Sequence, residues 1–297
     1  MRKNQKKDLK KNVTDKILAA LKIGVPPWVK PWTGIPGDGL PINVSTEKAY
    51  RGVNVWMLNL IQAEEGYPTS QWVTFKQART LGGSILPRPD SVGPGNWGHT
   101  IVFWKWIEKR VDSNGEERDS FPLLKSYTVF NRAQTEGLPE PEIVEISDHE
   151  RHAHAESTIR ATGAEIVYGG DRACYDRSRD RIQMPELNTF HNAESFYSAT
   201  FHELAHWTGA KRRLNREKGK GFGDELYAYE ELIAELAAAY LCAEHRISGA
   251  LQHESYIANW IRALENDTNF IFSASSKAQK AADYIVNRPQ EGVKKAA

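Results

Sequence analysis

Composition and patterning predict an α+β chain built from two domains, and three observations carry that expectation. The 297 residues suffice for two ordinary domains. The net charge of +1 hides a split. Residues 1–130 hold 19 Lys and Arg against 12 Asp and Glu, a net +7, whereas residues 131–297 hold 20 against 26, a net −6. Seven of the nine tryptophans, at 28, 32, 56, 72, 97, 104 and 106, fall in the basic part. Between the halves, Gly137-Leu138-Pro139-Glu140-Pro141 reads as a linker, which predicts domains of residues 1–136 and 142–297.

Hydrophobic residues at 40% and charged residues at 26% are ordinary for a globular chain. No apolar run approaches the roughly 20 residues that span a bilayer, so no membrane partner is expected. No apolar segment of signal-peptide type follows the first lysines. Cys174 and Cys242 cannot build a disulfide framework or a Cys-rich zinc site. A reducing cytoplasm is the expected setting.

Residues 2–11 read as a mobile basic start. Val13, Ile17, Leu18 and Leu21 then recur at helical spacing, with Asn12 or Thr14 to cap and Gly24 to stop. The prolines of Pro26 to Trp32 predict extended backbone. Tyr50 to Glu64 reads as an apolar helix, and Trp72 to Leu81 as a short helix ended by Gly82-Gly83. Thr100 to Ile107 and Tyr127 to Phe130 are β-branched and aromatic and read as strands, with residues 112–115 as a turn between them. In the second half, a polar helix is expected over Asp148 to Thr162. Short strands follow at Glu165 to Tyr168, Ala173 to Asp176 and Arg181 to Met184. Long helices are expected over about 193–208 and 225–244, then over 252–265 and 277–286. Arg177, Arg179 and Arg181 alternate as if they shared one strand face.

The helix expected over 193–208 contains His202-Glu203-Leu204-Ala205-His206. Histidines four apart project from one helix face, and two imidazole nitrogens suit zinc. Glu203 then lies beside the water that such a metal polarises and can take its proton as the water attacks a carbonyl. The metzincin third ligand is excluded, because Gly209 fits that pattern but position 212 is Arg. A glutamate on the next helix is the remaining source. Glu230, Glu231 and Glu235 lie in a strongly apolar stretch, where carboxylates need partners. Glu231 and Glu235 share a face that continues in small residues, Ala238 and Cys242. That arrangement resembles the paired acids of gluzincins, so Glu231 is the expected ligand and Glu235 the group that orients a ligand histidine. Glu230 and Glu235 remain alternatives for the ligand. One divalent ion per chain is expected, zinc by ligand type, with Mn2+ or another divalent ion as the alternative.

The basic half mixes cations with aromatic rings, which is what sequence-tolerant binding of single-stranded nucleic acid requires. Lys30 lies between Trp28 and Trp32, and Lys48, Tyr50 and Arg51 are adjacent. Trp72-Val73-Thr74-Phe75-Lys76 and Trp104-Lys105-Trp106 repeat the mixture. Composition alone leaves a peptide- or sugar-binding module open.

Longer motifs carry a family resemblance. Pro27-Trp28-x-x-Pro31-Trp32, Pro41-Ile42-Asn43-x-x-Thr46-x-Lys48-x-Tyr50-Arg51-Gly52-Val53-Asn54 and Trp72-x-Thr74-Phe75-x-Gln77-Ala78 resemble the N-terminal domain of ArdC-type antirestriction proteins, a domain also known in TraC-type plasmid primases. Tyr168-Gly169-Gly170, His202 to Gly209 and Glu230 to Leu236 resemble that family's zincin-like C-terminal domain. The resemblance implies a single-stranded-DNA-binding module joined to a zincin-like metallopeptidase domain, in a protein that shields incoming conjugative DNA from host restriction. The expected DNA contacts are Lys30, Trp32, Lys48, Tyr50, Arg51, Trp72 and Lys76, and the expected partners are single-stranded DNA and a host protein substrate. A DNA-shielding protein with a structural or vestigial metal site is the alternative. This chain carries Glu47 where many relatives have Gly before Lys48. It also replaces their turn after Gly83 with Pro87-Arg88-Pro89-Asp90 and Gly93-Pro94-Gly95.

Overall fold

The computed structural model describes residues 3–28, 39–107, 110–111, 117–118, 121–140, 147–216, 225–248 and 254–287. Lys30, Trp32 and the 112–115 turn lie outside them, as do the side chains of Trp104 and Trp106.

The basic start belongs to helix α1 (Lys3–Lys22), which the Lys- and Gln-rich segment can join because such side chains lose little freedom in a helix. Its apolar stripe of Val13, Ile17, Leu18 and Leu21 is buried as the periodicity required. There follow β1 (Ile42–Asn43), α2 (Val53–Glu65), β2 (Gln71–Val73), α3 (Phe75–Thr80), β3 (Ser84–Ile85), β4 (His99–Ile107), β5 (Arg110–Val111), β6 (Glu117–Arg118), β7 (Phe121–Asn131) and β8 (Thr135–Glu136). One sheet has the order β1-β2-β7-β4, with β1 parallel to β2 and the other pairs antiparallel.

The helix expected over Trp72 to Leu81 is therefore divided. Trp72 and Val73 sit in a central strand, and α3 starts only after Thr74, whose hydroxyl caps Gln77 N while Gln77 returns a hydrogen bond. On the outer side of β4, the Asn54 amide bonds both the N–H and the C=O of Val102, at 2.8 and 2.7 Å. It thereby covers part of a strand edge. Glu47 has φ 56°, the left-handed region where a side chain is strained.

The second half contains α4 (Asp148–Ala161), β9 (Glu165–Tyr168), β10 (Cys174–Asp176), β11 (Arg181–Met184), α5 (Ala193–Thr208), α6 (Glu225–Glu244), α7 (Glu254–Asn266) and α8 (Phe270–Val286). Its sheet runs β10-β11-β9, with β10 antiparallel and β9 parallel to β11. Residues 177–180 turn the β10–β11 hairpin, so Arg177, Arg179 and Arg181 do not share a strand face; Arg181 alone lies in a strand.

One apolar core runs through α1 and α2 into α6, α7 and α8. Trp28 meets Trp56 and Trp260 edge-on, and Trp56 stacks on Tyr240 at 4.4 Å while its indole N–H donates to Ser275 Oγ at 3.1 Å. Leu138, in the segment read as a linker, is buried with Val73 and Ala78. No helix among the described residues is long and apolar enough to cross a membrane.

Candidate metal centre

Helix α5 is started by Asn192, whose Oδ1 accepts from Ser195 N at 2.8 Å. Phe196, Phe201, Leu204 and Ala205 are buried along it, which fixes its rotation. Helix α6 is apolar nearly all round and buried, yet holds Glu230, Glu231 and Glu235 at 1%, 7% and 2% exposure. All three carboxylates face the motif histidines.

His202 Nε2 and His206 Nε2 lie 3.1 Å apart, and the two oxygens of Glu231 approach them at 3.5 Å each. Among the described residues these three form the one group whose ligand atoms converge as a metal requires. The other acids stand behind the rings. Glu235 faces His202 Nδ1 at 3.7 Å, and Glu230 faces His206 Nδ1 at 3.4 Å. Glu230 is in turn gripped by Arg216, which also reaches Ala205 O and Thr208 Oγ1 at the end of α5. Burial would raise the Glu230 carboxyl, but hydrogen bonds from His206 and Arg216 outweigh it and hold the pKa at about 2. Burial likewise opposes charge on His206, and the carboxylates of Glu230 and Glu231 overcome it to raise the pKa to about 9.

A cavity of about 660 Å³ opens onto His202, Glu203, His206 and Glu231. Tyr227 and Tyr256 form one wall, and β10 with its flanking Arg172 and Arg177 forms the other. Burial, then the Tyr256 hydroxyl and the Glu231 carboxylate, push the Tyr227 hydroxyl well up. The hairpin carrying β10 is tied to the end of α5 by Arg213. Its guanidinium bonds both Asp180 oxygens and the Tyr175 hydroxyl, and lies 3.9 Å over the Trp207 ring.

Sequence reasoning missed Arg213 and Arg216, which carry no spacing signal. It also missed Tyr227, although a position one turn before Glu231 on α6 could have pointed to it.

The basic half scatters its candidates. Trp72 is wholly buried, edge-on to Tyr67 and His99, and has no ring face to offer a base, which corrects its assignment as a contact. Arg51 pairs with Asp283 on α8, and Tyr50 is half-buried with its hydroxyl accepting from Asn43 Nδ2. Lys48 and Lys76 are exposed. Asn43 links the two segments that carry them, its backbone N–H donating to Lys48 O at 2.9 Å and its side-chain amide to Gln77 Oε1 of α3 at 3.1 Å. Phe75, 54% exposed with the Arg79 guanidinium 5.9 Å from its centroid, is the aromatic ring presented there.

A helix bearing His-Glu-x-x-His packed on a helix bearing a converging glutamate, beside an edge strand, defines a zincin-like domain, here joined to a smaller α+β module. Comparison with known proteins agrees. Residues 153–277 match the model of a zincin-like metallopeptidase, and residues 7–130 that of the N-terminal domain of anti-restriction factor ArdC. The chain belongs to the ArdC antirestriction family. It is similar to the metal-free crystal structure of antirestriction ArdC from plasmid R388, with 40% identity, TM-score 0.76, and 94% of this chain and 96% of that chain covered. The Mn(II)-bound structure of that protein matches at 39% identity and TM-score 0.73, covering 93% and 96%. An uncharacterized protein, y4eC, of Sinorhizobium fredii is 37% identical over 94% of this chain and 91% of its own length. DNA primase TraC of Escherichia coli is 35% identical over 97% of this chain, which spans only 28% of TraC.

Proposed function

We propose that this antirestriction-family chain binds single-stranded DNA through its N-terminal module and carries a working single-metal peptidase site in its C-terminal domain. The observation that carries the second half is the cavity opening onto Glu203 beside the converging His202, His206 and Glu231. A purely structural site needs neither an open cleft nor a base placed in it.

The donor set fits a divalent ion. Bonds of about 2.0–2.1 Å in a tetrahedral site put neighbouring donors about 3.3 Å apart, and the donors here are separated by 3.1 and 3.5 Å. His202 and His206 would each ligate through Nε2, with Glu231 as third ligand, and two nitrogens and an oxygen favour zinc, with manganese as alternative. Glu230, 3.4 Å from His206 Nδ1, would accept that ring's proton and fix its tautomer, and Glu235 faces His202 Nδ1 at 3.7 Å, placed to orient that ring. When bound, the ion supplies Lewis-acid polarisation of a peptide carbonyl and of the attacking water. Glu203 takes the proton from that water and delivers it to the leaving amine.

For DNA, the reading rests on the exposed Lys48 and Lys76 and on the exposed Phe75 with Arg79 beside its ring, cations for phosphates and a ring for an unstacked base. Incoming plasmid DNA coated in this way is withheld from a restriction enzyme. A host protein is the inferred peptidase substrate and the cytoplasm the inferred setting. The test is metal content together with cleavage of a diverse peptide pool by the metal-loaded chain and by Glu203→Gln. One ion per chain in both, with cleavage by the wild type only, supports the reading. Equal cleavage by both overturns it.

A further inference from the structure

We infer that the cleft selects an extended acidic peptide, with carboxylate side chains on both sides of the scissile bond meeting Arg172 and Arg177. The inference rests on the peptidase reading above and adds its substrate class.

Strand β10 is the outer strand of its sheet, paired on one side with β11, and Cys174, Tyr175 and Asp176 line the cavity. An unpaired strand edge offers alternating N–H and C=O groups to a second extended chain. A sugar–phosphate backbone cannot continue that ladder, so the edge favours a peptide over a nucleic acid.

The charge of the wall then narrows the peptide. Arg172, separated from β10 by Ala173, and Arg177, directly after it, are both exposed and both line the cavity. Neighbouring cations are committed: Arg179 to Asp176, and Arg212 and Arg213 to Asp180. No ion pair is found for Arg172 or Arg177 among the described residues. Apart from Glu203, the acids of the lining are also committed. Asp176 Oδ1 accepts from Ser178 N, Ser178 Oγ and Arg179 N, and Glu231 faces the two histidines. With a divalent ion held beside Glu203 and Glu231, the described lining carries net positive charge, so cations on a substrate are repelled and carboxylates drawn in.

Spacing sets the register. Arg172 and Arg177 are five positions apart and flank the three-residue strand, so at about 3.3 Å per residue their separation is at most about 16 Å, the reach of up to five substrate residues. Cys174 lies between them and lines the same cavity as Glu203, whose helix α5 packs against β10. The scissile bond therefore falls between the two arginines, with an acidic residue two or three positions away on either side.

The test uses the metal-loaded full chain and fluorescent decapeptides in which a phosphinate replaces the scissile amide. Three versions carry Glu, Gln or Lys at the two flanking positions, and affinity is read by anisotropy. The Glu peptide should bind about tenfold tighter than the Gln peptide, with the Lys peptide weakest. An Arg172→Glu/Arg177→Glu double variant should reverse that order at unchanged metal stoichiometry, and Arg→Lys at both sites should restore it. Equal binding of the three peptides, or an order unchanged in the double variant, overturns the acidic preference while leaving the peptidase reading standing. Binding of none of them to the metal-loaded chain overturns both. Displacement of the Glu peptide by a single-stranded oligonucleotide would assign the arginines to phosphates and also overturn the inference.

Discussion

Arg216 holds the two carboxylate oxygens of Glu230 at 3.0 and 2.7 Å, and through that carboxylate it reaches the ring nitrogen of His206 that faces away from the candidate metal position. Glu230 is thereby occupied as a support and turned away from ligation, although it is adjacent in sequence to Glu231. Glu230→Gln should therefore keep one ion per chain but weaken its affinity about 10–100-fold, as loss of a group orienting a ligand histidine does. Titration calorimetry with Zn2+ or Mn2+ measures this. Loss of stoichiometric binding in Glu230→Gln with full affinity in Glu231→Gln would exchange the two roles.

Removing either histidine should be more severe. His202→Ala and His206→Ala each leave two donors and should abolish stoichiometric metal, as should Glu231→Ala. Glu235→Gln should resemble Glu230→Gln, because its carboxylate faces His202 Nδ1 at 3.7 Å. Metal analysis after gel filtration separates these outcomes.

Burial and exposure predict opposite consequences for two neighbouring aromatic rings. Phe75→Ala should weaken binding of single-stranded DNA by about 1–3 kcal/mol and leave stability nearly unchanged. Trp72→Ala should cost about 3–5 kcal/mol of stability, because its ring is wholly buried. Lys76→Ala should lower the salt dependence of binding. Anisotropy and thermal unfolding on the same variants provide the test, and unchanged DNA affinity in Phe75→Ala would remove that ring from the interface.

Glu47 holds a left-handed backbone at φ 56° beside Lys48. Glu47→Gly should relieve that strain, gaining about 0.5–1 kcal/mol, and should raise DNA affinity by removing a negative charge. A lower unfolding temperature in this variant would contradict the strain argument.

His245 gives the fold an acid limit. Its Nδ1 donates to Leu241 O at 2.8 Å and its Nε2 accepts from Thr158 Oγ1 at 2.9 Å, while burial pushes its pKa down to about 4. Between about pH 6.5 and 4 the unfolded chain takes up a proton that the native ring refuses. Stability present above pH 6.5 is therefore lost as pH falls, by up to about 3 kcal/mol. His99, also held at about 4 chiefly by burial, acts in the same direction. His245→Asn should be less stable at pH 7.5 but lose less on acidification, read as unfolding temperature against pH. Identical pH profiles would contradict this.

What the sequence disclosed follows the range of the forces involved. The spacing of His202 and His206, the Asn192 cap and the apolar character of α6 are local, and they placed both helices and pointed to Glu231 and Glu235 before any coordinates. Trp72 was misread because a strand residue in a sheet centre has the same composition as an exposed stacking platform. Its burial is decided by β7, which is distant in sequence. The pairing of Arg51 with Asp283 was not legible because the two are 232 residues apart. The Arg177, Arg179 and Arg181 alternation failed because Asp180, at φ 52°, turns the chain between strands. Arg216 and Arg213 work by reaching across the fold, and nothing in their neighbours' identities announces it.

The most direct test of the central claim is single-turnover cleavage of a proteome-derived peptide pool by the zinc- or manganese-loaded chain beside Glu203→Gln, with bound metal quantified in the same samples. The substitution removes the proton acceptor and leaves His202, His206 and Glu231 in place. The account predicts one ion per chain in both proteins, defined cleavage by the wild type, and a rate about 10²–10⁴-fold lower in the variant. Metal-loaded wild type that cleaves nothing, or a variant that cleaves as fast, would contradict it.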